Sequence, residues 1–160
     1  MEPRIHRRVS RNAKKNAIPL YKLRTSAAAR TVVEHPGRMG ELVSMLEDKD
    51  LLVRGSAAAT IARLAESHPG RLIRILDRIK QALCDDSAYV RWHAAYSLGV
   101  VGGGFSTRAS SFAAELFGRL DDNNRVVRIL SAKSLRKLPL ESQSSSPICS
   151  SQASAKCPER

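Results

Sequence analysis

The chain has 160 residues, with 27 Lys and Arg against 15 Asp and Glu and a formal net charge of +12. That length suffices for one domain with a sizeable core, and no apolar run approaches the roughly 20 residues needed to span a bilayer. Aromatic residues are only 4% of the total, so a core must rest on Leu, Ile, Val and Ala, and no strand-like alternation competes with helix.

The chain opens on a basic segment. Arg4, Arg7, Arg8, Arg11, Lys14, Lys15, Lys22 and Arg24 face only Glu2 among the acids there, with Pro3 and Pro19 and few large apolar groups between them. Residues 1–23 are therefore expected to form a flexible basic arm, with Arg4, Arg7, Arg8, Arg11, Lys14 and Lys15 as candidate polyanion contacts. No apolar stretch of the secretory type follows, although an Arg-rich, acid-poor start can imitate a transit peptide. Cytoplasm is the default placement. Arg7-Arg8-Val9-Ser10 also has the pattern of a basophilic kinase site.

From residue 24 the sequence repeats itself. Arg24-Thr-Ser-Ala-Ala-Ala followed by His35-Pro-Gly-Arg echoes Arg54-Gly-Ser-Ala-Ala-Ala followed by His68-Pro-Gly-Arg. Beyond it, Val53-Arg54, Val90-Arg91 and Val127-Arg128 recur at 37-residue intervals, each preceded by Asp48, Asp85 or Asp122. After each Val, small or apolar residues stand at offsets 4, 5, 8 and 11: Ala57, Ala58, Ile61 and Leu64; Ala94, Ala95, Leu98 and Val101; Ser131, Ala132, Leu135 and Leu138. That spacing marks one helix face. Before each Asp, Leu42/Leu46, Leu72/Leu76/Ile79/Leu83 and Phe112/Leu116/Leu120 form the apolar stripe of another helix, so each unit reads as a helix pair. Pro36 and Pro69 with Gly37 and Gly70 are expected to break the chain between helices, and Gly102-Gly103-Gly104 to do the same later.

The Leu, Asp, Val-Arg, Ala-Ala, Leu pattern over roughly residues 24–139 resembles the HEAT-repeat family, including its short bacterial and archaeal type. The resemblance implies an all-α, armadillo-like fold, a right-handed α-solenoid of about three and a half helix pairs. A partial repeat would cover 24–37, with repeats near 38–66, 69–102 and 106–139. It also implies a hydrogen-bonded ladder between repeats, built from Asp48, Arg54, Asp85, Arg91, Asp122 and Arg128. Residues 140–160, rich in Ser and poor in large apolar groups, are expected to be a disordered tail.

On the second helix of each pair, positions 2, 6 and 10 after the Val share a face away from the apolar stripe. They are Gly55, Ala59 and Arg63, then Trp92, Tyr96 and Val100, then Ile129, Lys133 and Lys137. The resemblance implies that this face lines the concave surface. Arg63, Trp92, Tyr96, Ile129, Lys133 and Lys137 are accordingly the candidate partner-binding residues. Trp and Tyr are common interface anchors, and covering a groove between alanines is an equal use for them.

No catalytic constellation competes. His6, His35, His68 and His93 do not cluster as ligands, the His-Glu pairs of the di-iron repeat enzymes are missing, and the glycine run lacks the Lys-Ser/Thr of a phosphate loop. Nothing identifies the active-site residues of the bilin lyases or alkyl-base glycosylases built on similar repeats. Cys84, Cys149 and Cys157 show neither a disulfide framework nor a zinc spacing. The expectation is a non-catalytic scaffold or adaptor without cofactors that binds an unidentified protein or peptide. The alternative is nucleic-acid binding through the arm and the Arg/Lys face.

Overall fold

The computed structural model describes residues 18–139, without the side chains of 106–111. The described residues form seven α-helices and no strand: α1 (Thr25–Glu34), α2 (Met39–Leu46), α3 (Leu51–Ser67), α4 (Leu76–Ala82), α5 (Ala88–Gly104), α6 (Ser106–Phe117) and α7 (Arg125–Lys137). Short 3-10 turns at Leu20–Lys22, Pro36–Arg38 and Pro69–Ile75 lead into the first, second and fourth helices.

Helices α1, α3, α5 and α7 pack side by side as one layer, and α2, α4 and α6 cover its other side. The 37-residue spacing explains both layers. Leu42, Leu46, Leu72, Leu76, Ile79, Leu83, Phe112 and Leu116 of the covering layer are buried against Ala57, Ala58, Ile61, Leu64, Val90, Ala94, Leu98 and Val101. Each large side chain so buried stabilises the stack by about 1.5–3 kcal/mol relative to exposure. Paired alanines keep the layers close.

Local chemistry sets where the helices begin and end. The carboxylates of Asp48, Asp85 and Asp122 each accept the backbone N–H two residues on, at 2.8 Å, which folds the turn before the second helix. Asp50 and Asn124 then cap α3 and α7 by accepting from Leu52 and from Val126 and Val127. His35 and His68 close α1 and α3, each donating its amide to a carbonyl four residues back, and the prolines that follow cannot continue the helix.

Three expectations need correction. Gly102, Gly103 and Gly104 are the last turn of α5, and the chain breaks at Phe105 instead. Glycine permits a turn without compelling one; here its missing Cβ serves packing. A Cβ at Gly99 would come within 2.8 Å of Ser134 Cα, and one at Gly102 within 2.9 Å of the Phe112 ring. The near approach lets Ser134 Oγ donate to Ala95 O at 2.8 Å. Second, the end of the expected arm joins the folded body, since Leu20 is fully buried. Its amide donates to Glu41 Oε1 at 2.9 Å, while Arg38 donates to Ile18 O at 2.8 Å. One leucine in a polar stretch has found a slot that composition does not show. Third, Cys84 is disulfide-bonded, which spacing along the chain does not show.

The stack is also cross-tied. Arg54 donates from Nε and Nη2 to the Asp85 carboxylate at 2.8 and 3.3 Å, and Arg91 does the same to Asp122 at 2.8 and 2.9 Å. The pairs thus run from one unit to the next. Each arginine reaches back to its own turn through Nη1, which donates to Asp48 O and Lys49 O or to Asp85 O and Asp86 O.

Candidate functional site

The face of α1, α3 and α5 that points away from the covering layer carries two adjoining hollows. One, of about 400 Å³, is lined by Thr25, Ala59, Ala62, Arg63, Glu66, Tyr89, Trp92, His93, Tyr96 and Leu130. The other, of about 370 Å³, lies between α1 and α3 against Ser26, Ala29, Arg30, Val33, Ser67 and His68. Arg63 and Glu66 line both, so the two form one groove divided by that pair.

Tertiary contacts hold its walls. Arg63 donates to Glu66 Oε2 and Tyr96 donates through its hydroxyl to Glu66 Oε1, both at 2.9 Å. The hydrogen bond from Arg63, then that from Tyr96, holds the Glu66 carboxyl below its ordinary value. The same bond, with burial and the nearby carboxylate, raises the Tyr96 phenol. Tyr96 therefore stays a donor, fixed over α3. Lys137 Nζ lies 5.8 Å from the Tyr96 ring centroid, a cation-π approach from α7.

At the other end of the wall, Trp92 stacks on His93 with centroids 3.5 Å apart and meets Tyr89 edge-on at 5.3 Å. His93 is buried, and its Nδ1–H donates to Tyr89 O at 2.8 Å. Burial lowers its pKa, and the Tyr89 carbonyl offsets this only in part. The ring is thus a neutral platform under Trp92. Tyr89 is 50% exposed and lies over Gly55, where a Cβ would stand 3.2 Å from its ring. A small residue on α3 makes the seat for an aromatic on α5.

Arg63, Trp92 and Tyr96 line this groove and Lys137 approaches the Tyr96 ring, whereas Ile129 and Lys133 are exposed on α7, and none of these three α7 residues lines either hollow. Ala59 lines the groove; Gly55 is covered by Tyr89, and Val100 packs half-buried against the core. Tyr89, Glu66 and His93 escaped sequence reasoning. Tyr89 stands one residue before Val90 and Glu66 beyond the last sampled offset, so a fixed set of helix positions passed over both. Arg4, Arg7, Arg8, Arg11, Lys14 and Lys15 lie outside the described residues. Among those residues, no group of three or more His, Cys, Asp or Glu is placed to hold a metal. No helix there is long and apolar enough to cross a membrane.

A family model of HEAT repeats matches residues 39–136. The chain belongs to the HEAT-repeat family. HEAT repeats in general act as protein-protein interaction scaffolds, each unit adding to an extended surface. No curated protein matches this chain.

Proposed function

We propose that this HEAT-repeat protein is a non-catalytic interaction module, a scaffold or adaptor that takes a peptide or partner helix across its groove. The observation that carries this reading is the aromatic wall of Tyr89, Trp92 and Tyr96 beside the Arg63–Glu66 pair. Large rigid rings supply contact area at low entropic cost, with a polar pair near the centre to fix register. The ionisable groups with structural duties also favour binding over chemistry. Asp85, Asp122, Arg54 and Arg91 are engaged in the ladder, and Glu66 is held by Arg63 and Tyr96.

The test compares proteins captured by the immobilised wild-type chain with those captured by Trp92→Ala, alongside the thermal melt of each. Loss of a defined set of partners with a nearly unchanged melt supports the reading. An unchanged set, or a melt lowered enough to mark Trp92 as core, refutes it. The nucleic-acid alternative rests on the cations at Arg4–Lys15. It requires duplex DNA or RNA binding that weakens steeply with salt and is lost without residues 1–17.

A further inference from the structure

The ladder ends unevenly. Arg54 and Arg91 each fix Nη1 on two carbonyls of their own turn and present Nε and Nη2 to an Asp of the next unit. Arg128 repeats the first half of this arrangement, with Nη1 donating to Asp122 O at 2.7 Å and Asn123 O at 3.2 Å. Among the described residues no carboxylate meets its Nε and Nη2. The guanidinium is therefore set in the orientation that twice receives an Asp, and only the acceptor is missing.

The helix edge around it has the same character. Arg91, Ala95, Gly99 and Gly102 are the α5 positions that meet α7 or the residues bounding it. Moving each by 37 residues gives Arg128, Ala132, Arg136 and Pro139, an edge on which no further helix lies among the described residues. Helix α7 carries five cations and no acid. Of these cations, Arg128 and Arg136 lie on this edge, whereas Val126 and Ile129, 48% and 41% exposed, take the positions that Tyr89 and Trp92 hold on the groove side of α5.

These features select among occupants. Two α7 edges brought together would oppose Arg128 and Arg136 to the same cations of the other copy, which is unfavourable at an interface. The α1 end offers Arg24 and Arg30 with Glu34, so a second copy finds little complement there either. A phosphate backbone also suits an arginine fork, but the two forks that Arg128 repeats both receive a carboxylate from the turn before a helix. A helix preceded by a turn Asp or Glu supplies that acceptor in the same place.

We propose that the α7 edge docks a helical segment of a partner protein, with Arg128 receiving an Asp or Glu from the turn before that helix. This surface is separate from the aromatic groove, and the proposal does not depend on the reading of that groove.

The test uses the full chain and a labelled, side-chain-stapled helix of sequence Asp85–Leu98, the segment that presents its Asp to Arg54, followed by fluorescence anisotropy. The wild-type chain should bind this probe. Affinity should fall about tenfold for Arg128→Ala, and by a similar factor when the probe carries Asp85→Asn, as fits loss of a charge-assisted fork. Trp92→Ala should leave binding unchanged, and circular dichroism should confirm that Arg128→Ala folds. Equal binding of the Asp and Asn probes, no binding of either, or indifference to Arg128→Ala overturns the proposal. So does an Arg128-dependent preference for duplex DNA, or chain self-association that Arg128→Ala abolishes.

Discussion

Replacing Arg91 by Met keeps an unbranched stem and removes every donor. Arg91 makes five hydrogen bonds: two to the Asp122 carboxylate, one to Asn123 Oδ1, and two to the carbonyls of Asp85 and Asp86. The side chain of Asp122 is 3% exposed, so the substitution strands a buried carboxylate, a change that costs about 3–5 kcal/mol. Arg119 at 3.7 Å and the Asn124 amide remain, which places the loss near the lower end, about 3 kcal/mol. For a chain of this size that lowers Tm by about 6–12 °C. Arg128→Met is the internal control, since it removes two bonds to carbonyls and leaves no carboxylate behind; its cost should be about 1–2 kcal/mol. Urea unfolding at pH 7, followed by circular dichroism and with the Cys84 disulfide kept in one redox state, gives both values. Equal costs for the two variants, or a cost below about 1 kcal/mol for Arg91→Met, would refute the view that the inter-unit carboxylate makes the difference.

Two further outcomes concern single side chains. Ser131 is fully buried with its hydroxyl unpartnered among the described residues, at the position where the other units carry Ala57 and Ala94. Ser131→Ala should therefore raise stability by about 1 kcal/mol, and a lowered melting temperature would contradict this. His93 has a lowered pKa because burial disfavours its cation. Its contribution is complete above the unfolded value of about 6.5 and is lost as pH falls from there through the folded value. Unfolding free energies between pH 7 and 5 should fall more steeply for the wild type than for His93→Gln, and parallel profiles would show that His93 does not titrate in this way. The Asp122 carboxyl works in a lower range. Burial raises its pKa, and the Arg91 fork with the Asn124 amide outweighs that, so the net shift is downward. Its stabilisation persists until pH drops below about 4.

The 37-residue period was enough to place the helix pairs, most of the buried leucines and alanines, and the Asp-Arg positions. It works because a helix face is a local property that each unit must satisfy in the same way, and repetition multiplies a weak signal. The candidate face was legible in part. Trp92, Tyr96, Arg63 and Lys137 lie on one side of their helices by spacing alone, and the structure joins Arg63 to Tyr96 through Glu66, which no offset singled out. What the fold alone decided depends on contacts between residues of different elements. Gly55 makes room for Tyr89, Gly99 for Ser134, and Gly102 stays helical because Phe112 and Leu138 fill the space a side chain would need. Leu20 leaves the basic segment for a slot beside α2, and Cys84 takes part in a disulfide. None of these is written in a period, since each depends on which surfaces meet once the units are stacked.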